Sequence, residues 1–187
     1  MGNSISNIVT VVIPTTKERR TRIDECLNAL KDNAGVPIRV LIYENQDSGW
    51  VQAVHNAIEE TCGLVYVMND DMIIEPNCIK TLLDAYDDNV VYPDDGINNG
   101  TLATTFLCHA DLVKLHLHRG YYHNYSDTEF TEKAKILGKL KYVPEAKLVH
   151  KHWTTGAVKD ETYTKNTLTL EQDKALFNER KLHNFYV

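Results

Sequence analysis

An acidic triplet, Asn69-Asp70-Asp71, directly follows the apolar run Leu64–Met68. Adjacent carboxylate and carboxamide groups repel a phosphate unless a divalent cation lies between them, and hard oxygen ligands suit Mg²⁺ or Mn²⁺. The triplet therefore predicts a site for a metal ion and a diphosphate. The chain has no Gly-x-Gly-x-x-Gly and no Gly-Lys-Ser/Thr sequence. A glycine loop of the dinucleotide-binding or P-loop type is therefore not supported.

Two earlier apolar runs lead to polar residues in the same way. The run Ile8–Ile13 precedes Thr15, and the run Ile38–Tyr43 precedes Glu44. Apolar residues at helical spacing separate the three runs, so the first half predicts alternating strands and helices. This order is typical of a parallel sheet with right-handed crossovers, in which ligands bind beyond the carboxyl ends of the strands. We therefore expect Thr15, Glu44 and the triplet to lie at one edge of the sheet.

The second half of the chain is less regular. Its residues predict a strand over Thr101–Cys108, a helix that begins near Asp127, and short strands that lead to His150. The polar, turn-rich segment Thr154–Thr167 predicts a flexible loop, and Leu170–Leu182 predicts a terminal helix.

Length and composition indicate one globular domain. The chain has 187 residues, 43% of them hydrophobic, and a net charge of -6. We expect a catalytic region over residues 1–153, with the loop and helix of residues 154–187 packed on it. The negative charge argues against nucleic acid as the main partner, because a phosphate backbone calls for a clustered basic surface.

The sequence also gives an expectation for the cellular location of the protein. No apolar run approaches the roughly 20 residues that span a bilayer, and no secretory signal is evident, so we expect a cytoplasmic protein without a transmembrane segment. Peripheral association at a membrane surface is the alternative, since the first residues match the pattern for N-myristoylation of Gly2. The four cysteines lack paired spacing, and we expect all of them to be reduced and structural.

The order of these motifs resembles the GT-A fold glycosyltransferases of the family 2 type, which are inverting enzymes that use nucleotide-sugar donors. The resemblance covers roughly Val9 to Trp153. It is carried by the segments VVIPTTKER, LIYENQDSG, AVHNAI, VYVMNDDM, SDTEFTEKAKILG and AKLVHKHW. It implies an α/β fold with a mainly parallel central sheet flanked by helices. The implied activity is metal-dependent transfer of a hexose-like sugar from UDP or GDP to an acceptor hydroxyl; the acceptor and the oligomeric state are left open.

The resemblance also implies roles for the residues of the donor site. In the family the triplet reads Asp-any-Asp, and its last carboxylate binds the metal, which here is Asp71. A histidine after a later strand closes the metal and phosphate site, and His150 matches it, with His152 as the alternative. Asn69 stands where the first Asp is usual and can still hydrogen-bond a ribose or sugar hydroxyl. Asp70 is a further candidate for donor binding.

Other donor contacts follow from the same resemblance. Thr15 and Glu44 lie where the family contacts the base and ribose, although Glu44 is one methylene longer than the usual Asp. Trp50 and Trp153 are candidates for stacking on a sugar ring. The basic segment 17–20 is interpreted either as a solvated loop or as a contact to the donor.

Asp127 resembles the catalytic base of the family. An inverting transfer needs a carboxylate to take the proton from the acceptor hydroxyl. Glu129 is the alternative base, and a plain helix cap is the alternative role for Asp127. Because Asn69 and His55 depart from the family pattern, a catalytically degenerate GT-A domain that binds a nucleotide sugar or a partner remains an alternative. A sugar nucleotidyltransferase is another, but PTTKERR lacks the glycines that its phosphate loop needs.

Overall fold

A seven-stranded sheet forms the centre of the protein. The computed structural model describes residues 8–44, 48–156 and 161–186, without the side chains of Thr21, Trp153, Thr162 and Tyr163; Gly2 lies outside these ranges. The strands are β1 (Val9–Thr15), β2 (Ile38–Glu44), β3 (Leu64–Val67), β4 (Met72–Ile74), β5 (Val90–Asp94), β6 (Phe106–His109) and β7 (Leu140–His150). The helices are α1 (Arg20–Asn33), α2 (Gly49–Glu59), α3 (Cys78–Ala85), α4 (Ala110–His116), α5 (Ser126–Ile136) and α6 (Glu161–Leu182).

The strand order is β2-β1-β3-β6-β5-β7-β4. β1 pairs in parallel with β2 and β3, and β5 pairs in parallel with β7. The pairs β3–β6, β5–β6 and β4–β7 are antiparallel. The expected α/β fold with flanking helices is confirmed. The parallel pairing that the pattern of the first half predicts is present among β1, β2 and β3. The whole sheet is mixed, because antiparallel pairs occur in the second half, whereas the family resemblance implied a mainly parallel sheet.

Alternation along β1 divides the core into two layers. Val9, Val11 and Ile13 point to the face covered by α1 and α3, whereas Val12 points to the face covered by α2, α4 and α5. Successive side chains of a strand point to opposite faces, so a strand that is apolar throughout must be covered on both. The buried apolar run that precedes Thr15 therefore fixes the end of β1 between two helical layers.

Three elements differ from the sequence prediction. The strand expected over Thr101–Cys108 is limited to Phe106–His109, because the Thr101 hydroxyl donates to the Asn98 carbonyl and offers the backbone a turn instead. The helix expected over Leu170–Leu182 begins earlier, at Glu161. The two short strands expected before His150 form one continuous strand, β7, which is irregular opposite Pro93 and Asp94.

No helix in the described ranges is long and apolar enough to cross a membrane. All four cysteines are free thiols. Cys26, Cys78 and Cys108 are buried, as a structural role requires, and burial raises the pKa of Cys26 and of Cys78 to about 12. Cys62 is exposed, so the structural role expected for it has no support in packing.

Candidate active site

The register of the parallel strands brings Thr15 and Asp70 together. Val12 of β1 lies opposite Val67 of β3, and Thr15 and Asp70 each follow three residues later. The Thr15 hydroxyl donates a hydrogen bond of 2.7 Å to Oδ2 of Asp70. The carboxyl ends of β1 and β3 thus meet at one edge of the sheet, as the sequence pattern predicts.

The Asp70 carboxylate accepts hydrogen bonds on both of its oxygens. Thr15 contacts Oδ2, and the Arg19 guanidinium contacts Oδ1 at 2.5 Å. The side chain is 1% exposed, and this burial raises the pKa of Asp70 to about 6, although Arg19 and Thr15 act in the opposite direction. Asp70 lines the cavity described below, and its two oxygens hold Thr15 and Arg19 in place; donor contact, which the sequence suggested for Asp70, stays a prediction.

Asp71 and His150 meet through the antiparallel pairing of β4 with β7. Met72 lies opposite His150, and the backbone N–H of Lys151 donates to the Asp71 carbonyl at 2.8 Å. This register places Nε2 of His150 3.3 Å from Oδ1 of Asp71. The other Asp71 oxygen, Oδ2, lies 3.3 Å from the Arg19 guanidinium. The two residues that the family resemblance assigns to a metal are therefore adjacent, although 79 positions apart in sequence.

These side chains line a cavity of about 410 Å³. Two groups of its lining residues lie on different elements of the fold. The sheet wall comprises Thr15, Arg19, Asn69, Asp70, Asp71 and His150. The helix wall comprises Tyr122, His123, Asp127, Lys165 and Asn166.

Asp127 is the second residue of α5 and faces the cavity. Its Oδ1 accepts a hydrogen bond of 2.7 Å from the backbone N–H of Thr128. Burial raises the pKa of Asp127, and the hydrogen bonds from Thr128 lower it to a smaller extent. A carboxylate with a raised pKa accepts a proton more readily than an exposed one, which suits a general base.

Glu129, the alternative base, lies elsewhere. It is fully buried and receives two hydrogen bonds of 2.8 Å from the Arg180 guanidinium and one of 2.7 Å from the Tyr121 hydroxyl. It is absent from the described lining of the cavity. Glu129 therefore joins α5 to α6 and is not positioned to meet an acceptor.

A second carboxylate of α6 shapes the helix wall from behind. Asp173 is 3% exposed and accepts from three consecutive backbone N–H groups, those of Tyr122 (2.9 Å), His123 (3.1 Å) and Asn124 (2.8 Å). Those residues form the segment that leads into α5 and Asp127. Sequence reasoning missed this contact, because nothing local links Asp173 to a segment about 50 residues away.

The early start of α6 adds residues that the sequence assigned to a flexible loop. Lys165 and Asn166 lie within the helix and line the cavity. The loop after β5 contributes Leu102 and Thr104. Buried Asp95 orders that loop by accepting from the Asn98 backbone and the Thr104 hydroxyl. The turn-forming pair Asp95-Gly96 was the feature of the sequence that could have indicated an ordered loop here.

Trp50 connects the two walls. Its indole N–H donates to Oδ1 of Asn69 at 2.8 Å, and its ring lies edge-on to His123, with 6.5 Å between ring centroids. Both Trp50 and Asn69 line the cavity. The side chain of Trp153, the other candidate for sugar stacking, lies outside the described structure.

Three further residues singled out in the sequence, Glu44, His152 and His55, differ in whether they line the cavity. Glu44 ends β2 beside Thr15, but it is exposed and absent from the described cavity lining. His152 lines the cavity, with its Nδ1 2.7 Å from the Thr154 hydroxyl. His55, one of the two departures from the pattern that the resemblance implies, is buried with Nε2 2.8 Å from the Leu117 carbonyl. It thus contributes to packing rather than to the cavity.

The fold is that of known glycosyltransferases. The protein superposes on the crystal structure of residues 1–349 of TarS from S. aureus with a TM-score of 0.57 and 14% identity, over 75% of this chain and 59% of that one. It superposes equally well, with a TM-score of 0.57 and 14% identity, on the mannosyltransferase PcManGT from Pyrobaculum calidifontis, in complex with GDP-Man and Mn²⁺. That match covers 75% of this chain and 56% of the mannosyltransferase. The chain thus spans less than two thirds of either structure. No protein-family model matches the sequence, and no curated protein matches it in sequence.

Proposed function

We propose that the protein transfers a sugar from a nucleoside-diphosphate sugar, UDP- or GDP-linked, to an acceptor hydroxyl with inversion at the anomeric carbon. The observation that carries this proposal is the joint placement of the Asp71–His150 pair and Asp127 around one cavity. The glycosyltransferase fold supports it, and so does the presence of a nucleotide sugar in one structural neighbour. We also propose that the protein is an enzyme of the family 2 type.

The sheet wall is proposed to bind the donor. Asn69 offers its carboxamide to a ribose or sugar hydroxyl, with its orientation fixed by the Trp50 indole. Thr15 ends β1 at the same cavity, where its hydroxyl can accept a hydrogen bond while donating to Asp70. We assign Asp70 the role of positioning these groups. Glu44 is exposed at the end of β2 beside Thr15, outside the described lining of the cavity, and we propose it for a contact to the part of the base that extends beyond the cavity.

Asp71 and His150 are proposed to hold a divalent metal ion, Mn²⁺ or Mg²⁺. A carboxylate and an imidazole 3.3 Å apart form a donor pair that suits Mn²⁺. Within the described ranges, no group of three or more acidic, histidine or cysteine side chains is arranged to hold a metal. The pair therefore fits an ion that takes its remaining ligands from substrate phosphates and water, as Mg²⁺ usually does. When bound, such an ion would neutralise the charge of the departing diphosphate.

Asp127 is proposed as the base. In a single displacement the acceptor oxygen forms a bond to the anomeric carbon while the bond to the diphosphate breaks. The acceptor proton then passes to the Asp127 carboxylate, and the nucleoside diphosphate leaves with the bonding electrons. Burial strengthens Asp127 as a proton acceptor, and its anchor on the Thr128 N–H fixes its direction.

The proposal is tested by incubating the protein with UDP- and GDP-linked sugars and measuring release of nucleoside diphosphate, with Mn²⁺ and with EDTA. Release that depends on donor and on Mn²⁺ is expected. Asp71→Asn should remove the Mn²⁺-dependent part of donor affinity, measured by calorimetry, while the exposed-site control Asp84→Asn should retain it. Donor binding without any turnover would support the degenerate domain instead, and formation of pyrophosphate would support a nucleotidyltransferase.

A further inference from the structure

Arg19 is the member of the basic segment that enters the cavity. The segment forms a 3-10 turn, Lys17–Arg19, between β1 and α1. Lys17 and Arg20 are exposed, whereas the Arg19 side chain is 10% exposed and lines the cavity. The sequence left open whether this segment is solvated or contacts the donor. The structure places Arg19 at the cavity and the other basic residues of the segment in solvent.

Two carboxylates orient the Arg19 guanidinium. One terminal nitrogen contacts Oδ1 of Asp70 at 2.5 Å, and the other lies 3.3 Å from Oδ2 of Asp71. Asp70 is itself fixed by the Thr15 hydroxyl. A guanidinium is planar and always charged, and its fork of donors matches phosphate oxygens. Arg19 is therefore a preoriented cation at the edge of the sheet.

Arg19 and His150 approach different oxygens of Asp71. Arg19 lies beside Oδ2, and Nε2 of His150 lies 3.3 Å from Oδ1. An ion held by Asp71 through Oδ1 and by His150 would not require Arg19 to leave. Two separate sources of positive charge can then serve one diphosphate, one from the protein and one from a metal.

We propose that Arg19 binds the diphosphate of the donor directly and neutralises part of the charge on the leaving nucleoside diphosphate, independently of the metal. This inference rests on the proposed function and adds a binding residue to that site. Asp70 acts as a positioning residue, because it holds the guanidinium at the sheet edge. Diphosphate affinity should therefore persist without metal and should depend on Arg19.

The test is calorimetric binding of UDP, GDP and the matching nucleosides to the whole chain, in EDTA and in Mn²⁺. Arg19→Gln should weaken nucleoside diphosphate binding at least about tenfold in EDTA and leave nucleoside binding unchanged. Arg19→Lys keeps the positive charge but loses the paired N–H donors of the guanidinium, and it should lose less affinity for nucleoside diphosphates than Arg19→Gln does. The neighbouring exposed residue supplies a matched control, and Arg20→Gln should bind as the wild type does.

Each other outcome overturns the inference. If Arg19→Gln binds nucleoside diphosphates normally in EDTA, Arg19 does not contact the diphosphate. If nucleoside affinity falls equally, Arg19 only maintains the shape of the site. Should Arg19→Gln fail to fold, the double variant with Asp70→Asn removes both charges and is expected to show the same loss in EDTA. If the wild-type protein binds neither UDP nor GDP under any condition, both the role of Arg19 and the proposed function are wrong. This result differs from the first two, in which the wild type still binds nucleoside diphosphates.

Discussion

The sheet wall and the helix wall of the cavity use their charged groups in different ways. On the sheet wall, Asp70, Asp71 and Arg19 all line the cavity and contact one another there. Behind the helix wall, Asp173 and Glu129 are buried away from the cavity and bind backbone N–H groups or Arg180. Charges that face the cavity can serve a ligand, whereas charges behind it hold the wall in position. Asp127 and Lys165 are the exceptions, as charged helix-wall side chains that line the cavity.

The largest expected effect is therefore at Asp127. Asp127→Asn removes the base, and since general base catalysis contributes about 10²–10⁴-fold, the transfer rate should fall by that factor. Donor affinity in Mn²⁺ should stay within experimental error, because the sheet wall is intact. Steady-state transfer and calorimetric donor binding measure the two effects. Asp111→Asn is the matched control, since Asp111 is the exposed second residue of α4; unchanged turnover in Asp127→Asn would refute the assignment.

Next in size is the loss of the buried ion pair behind the helix wall. Glu129→Gln leaves the Arg180 guanidinium, 11% exposed, without its charged partner. Breaking such a pair costs about 3–5 kcal/mol, so the free energy of unfolding should fall by about 3 kcal/mol. Urea denaturation measures this loss. Glu132→Gln, on the same helix, breaks only an exposed pair with Lys135 and should cost less than about 1 kcal/mol. Similar values for both would mean that the pair does not join the helices.

Asp173→Ala should have a smaller and more specific effect. It removes the acceptor of three backbone N–H groups, and each buried group left unsatisfied costs about 1–3 kcal/mol, reduced by water that can enter. We expect about 1–3 kcal/mol of destabilisation, together with a transfer rate that falls more than donor affinity does. Denaturation and kinetics on the same preparation separate the two. Glu171→Ala, exposed on the same helix, is the control, and a loss of donor affinity alone would contradict the two-wall distinction.

The smallest effect is on pH dependence. Asp127 accepts a proton only when it is ionised, and burial raises its pKa from the ordinary value of an aspartate. The transfer rate should therefore be full above that raised pKa and fall as the pH decreases through it, by at most about tenfold per pH unit. A profile of kcat/KM from about pH 8 to about pH 4 measures this limb. A rate that stays constant down to the ordinary carboxyl pKa would show that burial does not tune Asp127.

The sequence predicted the sheet wall better than the helix wall, for physical reasons. Thr15 and Asp70 follow apolar strands whose parallel pairing sets where their ends meet, so their proximity follows from local pattern and fold class. The adjacency of His150 to Asp71 depends on the register of β4 with β7, and β4 has only three residues, too few to leave a periodic signal. The family resemblance, rather than periodicity, suggested His150.

The helix wall depends on contacts that no local pattern encodes. The segment Thr154–Thr167 is rich in threonine, which has low intrinsic helix propensity, and it predicted a loop. From Glu161 onward it is helical, and its buried Asn166 carbonyl accepts from the Asn124 side chain. Glu129 was likewise a candidate base in the sequence. In the structure its carboxylate instead accepts hydrogen bonds from Arg180, which lies 51 positions away in sequence. At both places the outcome was set by tertiary contacts between residues far apart in sequence, which local sequence patterns do not encode.

The position of Trp50 offers an optical probe of the cavity. Its indole spans the gap between the walls, with its N–H on Asn69 and its ring against His123. Indole emission responds to hydrogen bonding and to nearby imidazole. The chain contains only one other tryptophan, Trp153. A Trp153→Phe protein would therefore carry a single tryptophan, at the junction of the sheet wall and the helix wall, and its emission, excited selectively over that of the tyrosines, could follow ligand entry in real time without any label.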